Sequence, residues 1–335
     1  MRREKKGRVT KMKNRIKAVM LGHAVADALG VPVEFRSRAE LSEAPVTDMM
    51  GYGTYPVPSG TWSDDTSMSL AAMDILADGK TDWFAIMRNF VKWLGDGAYT
   101  ATGEVFDVGG TCKRAILNFI GICYSEEKGF FLPCGFDVTE CGSDVPYANG
   151  NGSLMRIHPF VLSAYFNGQS GEALDILMEK ASALTHAHGR SKLACKIYAR
   201  VLQAILDDPK KESIVRALHT AATLWSEDAE YSHFERLFDE NFRHLHMDNI
   251  RSTGYVVDTL EAAIWCVLTT DGYRECVLKA VNLGYDTDTV AAVAGGLAGA
   301  LYGYEDIPKK WLTTLKRKDY IEEMCERASL SWGCR

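Results

Sequence analysis

The stretch that most limits what this chain can become is Gly284-Tyr285-Asp286-Thr287-Asp288-Thr289 and the apolar run behind it, Val290 to Gly303. Ala291, Gly295, Gly299 and Gly303 recur at every fourth position, which puts them on one face of a helix. A face without side chains lets another backbone approach closely. The run therefore reads as a central helix buried on all sides. Asp286, Asp288 and Thr289 then stand where that helix begins, where free N–H groups and the macrodipole favour negative charge.

A second stretch has the same grammar. Gly60-Thr-Trp-Ser63-Asp64-Asp65-Thr66 precedes the apolar run Ser67 to Leu76. Capping accounts for one side chain per helix start and remains the alternative reading of each stretch alone. Four Asp crowded into two starts go beyond it, because uncompensated carboxylates beside buried helices are costly. The expectation is that the two starts face each other and hold divalent metal. An all-oxygen donor set suits Mg2+, Mn2+ or Ca2+ rather than Zn2+.

Bulk properties narrow the class. At 335 residues, with 47% hydrophobic residues, the chain can build a full core as one large domain or two ordinary ones. A net charge of −6 gives no general attraction to nucleic acid or to an anionic membrane, so neither is expected as a partner. The nine cysteines are odd in number and form no Cys-x-x-Cys. Cys112, Cys195, Cys266 and Cys276 sit inside apolar helical patterns and read as buried free thiols, which leads to an expected cytoplasmic location. The longest apolar run, Val290 to Tyr302, is too short to span a bilayer.

Residues 1–15 are rich in Lys and Arg and are expected to form a frayed tail ahead of a domain over 16–335. A helix is expected over Ile16 to Leu29, with Asp27 inside it and Glu34 just beyond the Gly30-Val-Pro break. Glu43 to Gly60 has no period and forms a long loop, a kind that tends to be functional in a compact domain. Helical patterns follow around Thr66–Ala77, Trp83–Leu94 and Cys112–Ile122. After a second irregular region, Tyr124 to Asn149, they resume and continue to the end of the chain. No strand alternation runs over a useful length. The predicted fold is all-α, a single compact multi-helix domain with its site-forming loops at helix starts.

With these residues in view, the chain resembles the ADP-ribosylglycohydrolase family. The resemblance runs from about Ile16 to about Trp311. It rests on seven motifs in order: Gly22 to Phe35, Gly60 to Thr66, Phe106 to Gly109, Asn149 to Arg156, Leu184 to His188, Gly254 to Thr259 and Asp286 to Thr289. It implies an all-α fold and a pair of Mg2+ or Mn2+ ions. It also implies that Ser63, Asp64 and Asp65 meet Asp286, Asp288 and Thr289 as ligands. Members cleave the bond between C1″ of the distal ribose of ADP-ribose and an acceptor, often an arginine guanidinium.

Such cleavage builds positive charge on the ribose, which a carboxylate-rich pocket stabilises. Glu34, Asp64 and Asp65 are the candidates to activate the attacking water, unranked. Asn151, Gly152 and Ser153, and likewise Gly109, Gly110 and Thr111, lie at helix starts whose N–H groups can meet a diphosphate. His186 and Tyr255 are candidate ring or ribose contacts. Asp27, Asp107 and Asp258 read as orienting groups or plain caps. Tyr285 departs from the family pattern, which usually has Gly, Asn or Asp there, and a ring at that position would narrow or reshape the ribose pocket. The expected substrate is an ADP-ribosylated protein or a small ADP-ribose conjugate. ADP-ribosylarginine leads. A serine-linked or small-molecule conjugate, or a binding member that kept the fold and lost the chemistry, is the alternative.

Overall fold

The computed structural model describes residues 2–333. Fifteen α-helices are found among them. The first five are α1 (Arg2–Gly30), α2 (Arg38–Glu43), α3 (Asp64–Leu76), α4 (Trp83–Asp96) and α5 (Gly110–Cys123). Then come α6 (His158–Phe166), α7 (Glu172–Ala183), α8 (Gly189–Asp207), α9 (Lys211–Leu224) and α10 (Glu235–Phe238). The last five are α11 (Val256–Leu268), α12 (Tyr273–Val281), α13 (Thr287–Tyr302), α14 (Lys309–Thr314) and α15 (Lys318–Ser331). The only sheet among the described residues is a two-residue antiparallel pair, Tyr124–Ser125 with Gly129–Phe130, inside the irregular region before Asn149. The all-α expectation holds.

Helix α13 is the centre. Thr287 to Gly299 are all buried, and α1, α11 and α12 pack round the helix. Its small-residue face does what the spacing predicts. A Cβ on Gly295 would lie 2.5 Å from the Gly22 carbonyl oxygen, and one on Gly299 would lie 1.9 Å from that of Ala18. The partner is α1, whose Gly22 is equally constrained: a Cβ there would meet the Gly295 oxygen at 2.6 Å. Further along the same contact, Gly30 abuts the Cα of Asp288 and so seats the end of α1 on the start of α13. Backbone contact between two helices fixes both of their ends.

The basic segment does not fray over its full expected length. It is continuous with α1, Met12 is buried, and Lys13 and Lys17 pair with Glu326 and Glu322 of α15. Packing against α15 supplies what the local pattern lacks. Residues 9–33 are long and apolar enough to cross a membrane by length and composition, but 94% of their most apolar window is buried inside the protein. That apolarity is accounted for by the contact with α13.

One further helix, α4, is held by ordinary local rules. Asp82 caps α4 by accepting from the Ala85 N–H, and Gly97 ends it in the left-handed region. Its buried face, Ile86, Met87, Phe90 and Trp93, has helical spacing, and Asn89 ties it to the Ala71 carbonyl of α3. Helix α3 is thereby held with its N-terminus toward that of α13.

Candidate active site

Ser63 caps α3 through its hydroxyl, which accepts from the Asp65 N–H. The main cap, however, comes from across the core. The Asp27 carboxylate on α1 accepts from the N–H groups of Ser63 (2.9 Å) and Thr66 (3.1 Å) and from the Thr66 hydroxyl (2.6 Å). The α1–α13 contact then brings Asp288 to the same place. Carboxylate oxygens of Asp27, Asp65 and Asp288 lie within 4.8 Å of one another, and so do those of Glu34, Asp107 and Asp288. Asp288 belongs to both groups.

The two acid-loaded starts therefore meet. Thr289 donates to Asp65 Oδ1 at 3.4 Å, which joins α13 to α3 directly. Asp286 Oδ2 accepts from the Asn151 side-chain amide at 2.9 Å, and that amide also donates to the Thr259 hydroxyl. Asn151 is thus placed as an orienting partner of Asp286. Asp64 stands outside both groups of three, and its Oδ2 faces the Gly109 N–H at 3.5 Å.

The electrostatics are one-sided. Burial first, then the Asp107 charge, pushes the Glu34 carboxyl up to about 9. Burial raises Asp27 to about 6, and burial with the Asp286 charge raises Asp107 to about 6. Asp65 and Asp288 are held well above the usual carboxylate range, by burial and then by Asp27 and Glu34 respectively. Asp64 is raised in the same way, by burial and then Asp107. The charges that raise these groups are all carboxylates. Glu34 Oε2, Asp65 Oδ2, Asp286 Oδ1 and Asp288 Oδ2 are buried with no hydrogen-bond partner. Buried acceptors without donors are rare and costly. A hard, oxygen-seeking divalent cation is the group that would satisfy them, so the donor set fits Mg2+ or Mn2+.

The remaining predicted residues are distributed around this cluster. The turn Asn149–Asn151 is pinned to residues 254–256 by two backbone hydrogen bonds, Asn151 N–H to Gly254 O and Val256 N–H to Asn149 O, both 3.0 Å. That places Tyr255 beside Gly150, with Arg190 over its ring at 5.8 Å. Gly152 packs against His186 and Cys112, and a Cβ there would lie 2.9 Å from the His186 ring. His186 is buried and its pKa is pushed down to about 3 by desolvation, so it is neutral. Ser153 is turned into the core, where Ser182 donates to its hydroxyl. Gly109 and Gly110 are exposed at the start of α5, with Thr111 half-buried behind them.

Sequence reasoning ranked Asp27 and Asp107 below the paired acids and missed Tyr55. Asp27 looks like any acid inside an apolar helix until α3 is laid across it. Tyr55 lies in the Glu43–Gly60 loop, with its ring on Phe106 (5.0 Å) and its hydroxyl facing Glu34 and Asp107. Burial and those carboxylates raise its phenol well above the usual range, so it stays protonated. The signal for it was the loop itself, not the residue.

The family's sequence profile, described as ADP-ribosylglycohydrolase, matches residues 8–334. The chain belongs to the ADP-ribosylglycohydrolase family. It is similar to the ADP-ribosylarginine hydrolase Tri1 of Serratia proteamaculans (strain 568), 31% identical over 94% of this chain and 78% of that protein. It is also similar to the ADP-ribosyl-[dinitrogen reductase] glycohydrolase of Rhodospirillum rubrum, 30% identical over 91% of each. A solved structure described as an ADP-ribosylglycohydrolase-related protein complex superposes with a TM-score of 0.77 at 28% identity, covering 96% of this chain and 99% of that one. The profile's span, residues 8–334, includes both acid-loaded helix starts.

Proposed function

We propose that the chain is a Mg2+- or Mn2+-dependent hydrolase that removes ADP-ribose from ADP-ribosylated arginine in a protein. Removal of an ADP-ribosyl group is supported by the family and by relatives named as hydrolases of such groups. The arginine acceptor rests on the relatives named ADP-ribosylarginine hydrolase. The metal rests on the four buried carboxylate oxygens without partners where α1, α3 and α13 converge.

Asp27, Asp65 and Asp288 would hold one cation and Glu34, Asp107 and Asp288 a second, with Asp286 and Thr289 at the edge of the set. Ser63 and Asp64 complete the expected ligands of α3. Bound there, divalent cations would supply Lewis-acid polarisation and relieve the repulsion among the carboxylates. The chain's own groups account for the rest. The carboxylates face the positive charge that develops on the ribose as the C1″–N bond breaks. Glu34 would take a proton from the attacking water once a bound cation's charge had brought its carboxyl down from about 9, with Asp64 and Asp65 as the competing assignments. That proton is returned to the departing guanidine nitrogen, so water's O–H bond and the C1″–N bond are exchanged for a hemiacetal hydroxyl and an N–H. The N–H groups of Gly110 and Thr111 and of Gly152 and Ser153 would offer contacts for the diphosphate, with Gly109 and Asn151 holding the two turns and Tyr255 and His186 beside them for the ribose.

The test is release of ADP-ribose from an ADP-ribosylarginine protein with Mg2+ or Mn2+, repeated in EDTA. Release that EDTA abolishes supports the reading. Equal release in EDTA refutes the metal. No release, with turnover of a serine-linked or small-molecule conjugate, refutes the acceptor.

A further inference from the structure

Two exposed aromatic residues adjoin the acids of the site, and both are held in an unfavourable backbone conformation. Phe35 follows Glu34 and has φ 66°, and Tyr285 precedes Asp286 and has φ 65°. Bulky side chains rarely adopt the left-handed region, and an outlier persists only where the surroundings fix it. Here they do. The Phe35 N–H donates to the Tyr285 carbonyl (2.6 Å) and the Tyr285 N–H to the Arg36 carbonyl (2.7 Å). Arg38 clamps the same two segments, its guanidinium donating to the carbonyls of Leu283, Met247 and Ile250. Gly284 is at φ 80°, and a Cβ there would lie 2.6 Å from the Arg38 nitrogen.

Yet the rings so rigidly based are left open to solvent, Phe35 at 68% and Tyr285 at 48% exposure. Neither ring is needed to fill the core, and glycine would adopt both backbones without steric strain. The residues next to them in sequence are acids of the cluster, Glu34 buried and Asp286 half-buried. Two exposed rings on hydrogen-bonded, neighbouring backbones, each next in sequence to an acid of the cluster, suit a planar cation, which gains from ring stacking and from the negative charge together.

We propose that Phe35 and Tyr285 form the acceptor-side rim of the pocket and hold the guanidinium of the ADP-ribosylated residue. The proposal rests on the reading of the cluster as an ADP-ribosyl hydrolase site and deepens it by assigning the acceptor's place. These are specificity-determining residues. They act on the leaving half of the substrate and not on ADP-ribose.

Phe35→Gly, Tyr285→Gly and the double variant test it, since glycine relieves the backbone and keeps the fold. The first assay is turnover of an ADP-ribosylarginine conjugate. The expected result is a KM raised on the order of tenfold in the double variant, with affinity for free ADP-ribose unchanged by calorimetry. The second assay needs no turnover. Agmatine is titrated into each protein in the presence of Mg2+ and ADP-ribose, and weaker binding in the double variant than in the unsubstituted chain is expected. Equal agmatine binding in all four proteins overturns the proposal, whether or not the conjugate is hydrolysed. A loss of affinity for free ADP-ribose that matches the KM change also overturns it, because the rings would then serve the other half. If the unsubstituted chain binds agmatine through these rings but hydrolyses no conjugate, the proposed function fails and the rim assignment stands.

Discussion

Asp288 is the residue on which the site's two halves converge, since its carboxylate belongs to both groups of three acids. Buried among Glu34 and Asp65, it is held protonated well beyond the usual carboxylate range. Asp288→Asn keeps the shape and removes an acid that the fold must either hold protonated or charge beside other carboxylates. In metal-free protein at about pH 8 it should raise the melting temperature, because the unfolded chain no longer gains by releasing a proton that the fold retains. The same variant should lose the thermal shift produced by Mg2+ and lose turnover. A variant that is less stable without metal, or that keeps the full Mg2+ shift, would sink the bridging role. Glu34→Gln separates chemistry from binding. It should lower kcat by about 10²–10⁴-fold, as expected for loss of a general base, with free ADP-ribose bound as before. Weaker ADP-ribose binding with kcat intact would assign Glu34 to binding alone.

At the scale of elements, the crossing of α1 and α13 positions everything else. Gly299→Ala forces a Cβ to within 1.9 Å of the Ala18 oxygen, a backbone atom that cannot swing aside. The helices must separate, and a cost of at least about 2 kcal/mol follows for overpacking of this kind. Gly121→Ala is the matched control: it sits on the exposed side of α5 with nothing within 4 Å, and should stabilise by roughly 0.5–1 kcal/mol. If both variants melt alike, the crossing is not close-packed. This crossing was legible from the four-residue spacing in 290–303, because the absence of side chains is itself a packing statement. Its partner was not legible. Gly22 lies in a motif whose neighbours His23 and Asp27 draw attention to chemistry, and a single glycine carries no period. The meeting of the two acidic helix starts could be inferred because carboxylates need a counterpart. Asp27 and Asp107 were harder to place. One needed a helix laid across it, and the other follows a loop with no pattern and is itself at φ 50°. Boundaries of regular helices such as α4 followed from Asp82 and Gly97, whose capping is local.

For the molecule as a whole, an acid cluster that holds metal as proposed would make stability and metal binding opposite functions of pH. Carboxyls ordinarily titrate at about 4, whereas in the fold Asp27 and Asp107 hold their protons to about 6 and Glu34 to about 9. Above about pH 4 the unfolded chain therefore releases protons that the folded chain retains, so the folded state binds more of them and is destabilised as pH rises. The stabilising contribution of these groups is complete below that point and is lost progressively through pH 6 to 9. The metal-free protein should accordingly melt lower at pH 8.5 than at pH 5.5, by on the order of 5 °C or more. Cation binding requires the same carboxylates deprotonated, so protons compete with it and affinity rises with pH. Saturating Mg2+ should give a larger rise in melting temperature at pH 8.5 than at pH 5.5, narrowing or reversing the pH trend. Scanning calorimetry at both values, with EDTA and then with Mg2+, measures the two slopes together. An Mg2+ shift that shrinks as pH rises would mean that the cation binds somewhere other than these buried acids. A metal-free melting temperature that climbs with pH would mean that the cluster is compensated by groups other than its own protons. The combination expected here, a fold strained by the charges it gathers and relieved by the ion they select, ties the function of the site to the stability of the helices that build it.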